Sequence, residues 1–105
     1  PDLGRYFVAC VDGEIVGQLM QTREWSDWRN GLVWWIQSVY VLPDWRRRGV
    51  FRTLYDHLRR QAQSAEDVVG LRLYVERDNE GAQATYVQLG MNTAGYVVME
   101  EMFAE

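Results

Sequence analysis

The chain contains no lysine, so all 11 of its basic residues are arginine. It has one cysteine, Cys10, which excludes a disulfide within the chain and fits a reducing compartment. Cys10 stands in an apolar run (Phe7, Val8, Ala9, Val11), the setting of a small buried hydrophobe more than of a nucleophile. There is one histidine, His57, and no Cys/His/Asp spacing of the kind that holds a metal. No apolar stretch approaches the ~18 residues a membrane span needs, and no signal peptide is expected. A cytoplasmic protein without a membrane partner is the expectation. The formal net charge is −4, which argues against general nucleic-acid binding, because a phosphate polymer requires a broad basic surface.

What is present is unevenly spread. The chain has 105 residues, a single-domain length, and is 48% hydrophobic, enough for a core with a thin stability margin. All five tryptophans (Trp25, Trp28, Trp34, Trp35, Trp45) fall in the first half, a supply of apolar area that fits a core or an interface. Six of the arginines lie between Arg46 and Arg60. In an acidic chain such a cluster reads equally as a local anion site or as a solvated helix end. The chain starts at Pro1 without a methionine, as a processed protein, a trimmed one or a fragment does.

Patterning predicts an α+β order. Arg5–Val11 and Glu14 to about Arg23 are rich in β-formers around Asp12-Gly13, a two-residue hairpin turn. Asn30-Gly31 is a second turn, and Leu32–Leu42 is the most β-prone segment, ended by Pro43. Three antiparallel strands in a meander follow from this. From Gly49 the period changes. Val50, Phe51, Leu54, Leu58 and Ala62 recur at helical spacing to about Ser64. Gly70–Val75 alternates as a strand. Asn79 is suited to cap a short helix carrying Ala82, Tyr86 and Leu89, with Gly90 as its stop. Gly95–Phe103 is predicted as a final strand, giving βββ-α-β-α-β in one domain spanning residues 1–105.

The stretch IQSVYVLPDWRRRGVFRTLYDHL concentrates the chemistry. A strand ends, a basic loop follows, and a helix starts at a glycine. Amides at a helix start are unpaired and hold partial positive charge, so they suit a phosphate. Gly49 lets a ligand approach the backbone, and Arg46, Arg48 and Arg52 are placed to add charge-assisted contacts. A strand–glycine–helix junction is also common without any ligand.

This stretch resembles motif A of the GNAT superfamily of N-acetyltransferases, Gln/Arg-x-x-Gly-x-Gly/Ala after a strand. The matching positions are Arg46, Arg47, Arg48, Gly49, Val50 and Phe51, with Phe51 where Gly or Ala is usual. Glu76-Arg77-Asp78-Asn79, then Ala82, Ala84, Tyr86 and Leu89-Gly90-Met91, resembles motif B, at the interval the family shows. The resemblance implies the acyl-CoA N-acyltransferase fold, an antiparallel meander followed by β-α-β-α-β around one mixed sheet. The family's N-terminal strand and helices are absent from these residues. It implies acetyl-CoA as co-substrate and an amine acceptor (small molecule or protein); no metal is expected, and a domain without those N-terminal elements would expose apolar surface they normally cover, which favours a homodimer. The backbone of Val39, Tyr40 and Val41 would bond the pantetheine arm, and the amides from Arg47 to Arg52 the pyrophosphate. Asn79 would bond the pantetheine or thiol side, and Tyr86 would protonate the departing thiolate. Asn79 also serves as an N-cap, and Tyr86 also fits a core position. The usual glutamate base has Gln37 and Ser38 in its region, which leaves Glu24 and Asp27 as the nearest acids. A catalytically silent acyl-CoA-binding module with the same fold is the alternative.

Overall fold

The computed structural model describes residues 4–103. They form two compact units, the first ending at Tyr74 and the second beginning at Val75.

The first unit is a four-stranded sheet in the order β1-β2-β3-β4 with one helix across it. The strands are β1 (Gly4–Val11), β2 (Glu14–Ser26), β3 (Gly31–Val41) and β4 (Val68–Leu73). β1, β2 and β3 form the expected antiparallel meander. Asp12 and Gly13 both take positive φ, 52° and 82°, between the paired residues Val11 and Glu14. That is the twist a two-residue hairpin needs, and Asp and Gly tolerate it. β2 runs three residues beyond the predicted end, because Glu24, Trp25 and Ser26 still find ladder partners in Val33, Leu32 and Gly31. β4 lies parallel to β3, so the chain crosses over between them through helix α1 (Val50–Ser64).

The core lies between α1 and one face of the sheet. Leu54, Tyr55, Leu58 and Ala62 recur on one helix face and are buried, against Val16, Leu19 and Ile36 among the buried strand residues. Leu19 and Leu58 are fully enclosed, and burying each contributes about 1.5–3 kcal/mol. Gln21 is buried among them, but its Oε1 accepts from Arg5 Nε at 3.1 Å and its Nε2 donates to the Thr22 carbonyl at 3.1 Å. Of the tryptophans only Trp34 is buried, and Trp28 is 90% exposed. His57 lies edge-on to Phe7 and is bonded to Gln61, and Cys10, expected to be buried, is exposed.

The second unit holds helix α2 (Glu80–Gln88). Asn79 caps it as expected, its Oδ1 accepting from the Ala82 amide at 3.0 Å. Gly90, at φ 108°, closes it. Its amide bonds the Val87 carbonyl, and the Met91 amide bonds the Tyr86 carbonyl. This pair of bonds is the Schellman stop that only a left-handed residue completes easily. The predicted final strand does not form. Gly95–Phe103 carries no ladder, and Tyr96, Val97, Val98 and Met99 are 61–90% exposed. The β-rich composition of that segment describes a fit to a neighbouring strand, and none pairs with it. Among the described residues, no helix is long and apolar enough to cross a membrane.

Candidate functional site

β3 changes character half-way along. Its pairing with β4 ends at Ile36 opposite Leu73, whereas its pairing with β2 continues through Tyr40 and Val41. Between Gln37 and Tyr40 the register slips. Ser38 and Val39 together oppose Leu19, which is a β-bulge. Ser38 sits at φ 52°, a left-handed conformation that is costly for a residue other than glycine. The Leu42 amide bonds the Val16 carbonyl. By the alternation of an antiparallel ladder, the backbone groups of Val39 and Val41 therefore turn away from β2. The sheet thus opens an edge of main-chain donors and acceptors just before the basic loop.

The loop then makes three tight reversals. Pro43–Trp45 is a single 3-10 turn, Arg47 has φ 62°, and Gly49 has φ 83° at the helix start. A Cβ built on Gly49 meets nothing within 4 Å, so its glycine identity answers to backbone conformation and leaves open space over the helix end. No side chain caps α1 at Gly49. The first turn follows directly, through Val50, Phe51 and Arg52, where amides converge and partial positive charge is greatest. Arg46 donates from Nε to the Val41 carbonyl at 2.9 Å and lies over the Tyr40 ring at 5.5 Å. Arg48 donates to the Asp44 carbonyl at 3.2 Å and lies over Trp45 at 4.2 Å.

All the residues from Val39 to Arg52 named from the sequence therefore meet in one strand end, one loop and one helix start. Asn79 and Tyr86 lie in the second unit, seven residues apart and so about two turns along the same side of α2. Burial raises the Tyr86 phenol above its ordinary pKa, which keeps it a neutral proton donor well past neutral pH.

Comparison with known proteins decides the family. The model of the acetyltransferase (GNAT) family matches residues 1–91. This chain belongs to the GNAT acetyltransferase family. A possible acetyltransferase from Clostridium difficile 630 is similar at 43% identity and TM-score 0.90, over 99% of this chain and 68% of that one. Two more distant GNAT-like structures share the fold. The ribosomal-protein-alanine N-acetyltransferase of Brucella melitensis biovar Abortus 2308 is 23% identical at TM-score 0.81, over 95% of this chain and 71% of that one. AAC(6')-Iy, in complex with the bisubstrate analogue CoA-S-monomethyl-acetylneamine, is 22% identical at TM-score 0.81, over 99% and 72%. A search of curated proteins found no match.

Three features of this GNAT chain escape a reading of the sequence. The bulge at Ser38 has no glycine or asparagine to announce it. The placing of Arg46 over Tyr40 and of Arg48 over Trp45 depends on how the loop folds back. Glu24, one of the acids considered for the base, turns out to be engaged. Its Oε1 accepts from Trp35 Nε1 at 2.7 Å and from Arg72 at 3.3 Å. It pairs with Val33, and Val39 lies about 20 Å farther along the strand, beyond direct proton transfer.

Proposed function

We propose that this chain transfers an acetyl group from acetyl-CoA to a primary amine by direct attack. The observation that carries this is the bulged end of β3, paired with β2 but no longer with β4, leading through Gly49 into a helix start without a side-chain cap. The backbone of Val39, Tyr40 and Val41 lines the pantetheine arm, and an outward amide there polarises the thioester carbonyl. The amides from Arg47 to Arg52 hold the pyrophosphate, and Asn79 bonds the thiol side. The amine nitrogen attacks the carbonyl carbon, the C–N bond forms and the C–S bond breaks. Tyr86 gives its phenolic proton to the departing thiolate, and the proton shed by the amine returns to the phenolate through water. Asp27 and Glu24 take no part as a direct base. An amine that is already deprotonated, or a chain of waters, supplies that step.

Small-molecule and protein amines both suit this reading, in a cytoplasmic homodimer built from one domain per chain. Tyr86→Phe tests it. In an acetyl-transfer assay over an amine panel, the variant is expected to bind acetyl-CoA like the wild type and to lose turnover by about 10²–10⁴-fold. Unchanged turnover removes Tyr86 from the mechanism. A catalytically silent acyl-CoA-binding module is favoured by the absence of a carboxylate near the bulge, at Gln37 and Ser38. Binding without turnover for every amine selects that reading.

A further inference from the structure

We propose that Arg46 and Arg48 are internal clamps that set the shape of the loop before α1, and that neither is a direct phosphate ligand. The inference rests on the acyl-CoA reading of the site and divides the arginine cluster by role.

A guanidinium that serves as a phosphate ligand presents its N–H fork outward. Arg46 spends its Nε on the Val41 carbonyl at 2.9 Å, and its Cζ lies over the Tyr40 ring at 5.5 Å. Arg48 spends an Nη on the Asp44 carbonyl at 3.2 Å, and its Cζ lies over the Trp45 ring at 4.2 Å. The two ties have one construction, an arginine returning to a carbonyl a few residues back while resting on an aromatic ring. Together they span the loop from Val41 to Arg48 and bracket the 3-10 turn at Pro43–Trp45. The loop needs such support, because Arg47 between the two clamps is left-handed at φ 62°, a strained conformation that persists only where its surroundings impose it. Val41 is one of the residues whose main chain faces out of the opened sheet edge. Arg46 therefore also decides that the Val41 carbonyl is occupied by the protein, which leaves the amides as the edge's offering at that point. Anion contact then falls to the amides after Gly49 and, among side chains of the cluster, to Arg47 and Arg52. Arg46 is in this account a positioning residue.

Two ligands and a ligand-free measurement separate the roles. S-acetylpantetheine carries the thioester and the arm of acetyl-CoA without its phosphates. Arg46→Lys keeps the charge but loses the Nε donor and the guanidinium, and Tyr40→Leu removes the ring and leaves every charge in place. The clamp predicts that each variant weakens acetyl-CoA and S-acetylpantetheine by a similar factor, about 5–10-fold, and that the double variant is no worse than either single one. Without ligand, both variants are expected to speed amide hydrogen exchange across Leu42–Gly49 alike, with the exchange of β2 unchanged as the check on folding. Trp45→Leu repeats the test for Arg48. A phosphate role predicts the opposite: Arg46→Lys binds acetyl-CoA normally, Arg46→Gln weakens acetyl-CoA alone, and Tyr40→Leu changes nothing. That pattern, or loop exchange unaltered in Arg46→Lys and Tyr40→Leu, overturns the proposal. A folded wild type that binds neither ligand sinks the acyl-CoA reading instead, and the exchange data still decide the clamp.

Discussion

Gly17→Ala is expected to disturb the candidate site from near the start of β2. A Cβ on Gly17 would stand 2.6 Å from Val50 Cγ1, at the first residue of α1, with the Tyr40 carbonyl and Val41 Cγ2 each at 3.5 Å. Restoring an ordinary carbon–carbon separation needs a shift of about 1 Å. Valine in a helix has one strongly preferred χ1 rotamer, so Val50 cannot turn aside cheaply, and the helix start must move as a body. Overpacking of this kind costs about 1–3 kcal/mol, whereas replacing a strand glycine by alanine returns only about 0.5–1 kcal/mol. The clash wins, and a net loss of about 1 kcal/mol lowers Tm by roughly 4–8 °C in a domain of this size. A displacement of about 1 Å in the amides that hold the ligand is enough to weaken acetyl-CoA binding at least about tenfold. Thermal melts and calorimetric titration of Gly17→Ala, Val50→Ala and the double variant provide the assay. Val50→Ala removes the atom that clashes, so the double variant should melt close to Val50→Ala and recover most of the binding. A Gly17→Ala protein as stable as the wild type, or one that Val50→Ala does not rescue, refutes the reasoning.

Ser38 offers a test of the bulge. At φ 52° glycine is more comfortable than serine, so Ser38→Gly should hold or raise Tm, whereas Ser38→Val, β-branched in a left-handed position, should destabilise by about 1–3 kcal/mol and impair transfer. pH dependence follows from two tyrosines. Burial raises the phenols of Tyr55 and Tyr86 above their ordinary value, so folding favours the protonated form. Their contribution is whole below the unfolded value of about 10 and is lost as pH rises through the folded values. Tm should therefore show no loss from these groups between pH 7 and 9 and should fall above about 10. Transfer should show no descending limb from Tyr86 below that pH; a limb near 8 with the Tm unchanged removes Tyr86 as the acid.

The elements most legible in the sequence are those whose signals are local. Asp12-Gly13 has both residues at positive φ, as a two-residue hairpin demands, and Asn79 and Gly90 cap and stop α2 with their own atoms. The spacing of Leu54, Leu58 and Ala62 defined the buried face of α1 because one helix face meets one sheet face. Gly95–Phe103 misled because strand propensity expresses a fit to a partner, which composition does not contain. The candidate site divides in the same way. Gly49 is readable, since a left-handed residue opening a helix is glycine by preference. The fates of Arg46, Arg48 and Glu24 are not readable, because the Val41 and Asp44 carbonyls and the Trp35 indole reach them only through folding.

Calorimetric titration of acetyl-CoA into the wild type and into Gly49→Asp is the experiment to perform first. Aspartate tolerates the left-handed backbone better than most residues, and a Cβ at position 49 meets nothing within 4 Å, so the variant should fold. Its carboxylate would stand in the space over the helix start and repel a phosphate. The predicted result is saturable one-to-one binding to the wild type that Gly49→Asp abolishes while its melt stays within a few degrees. A folded wild type that takes up no acetyl-CoA, or a Gly49→Asp variant that binds it undiminished, contradicts the account.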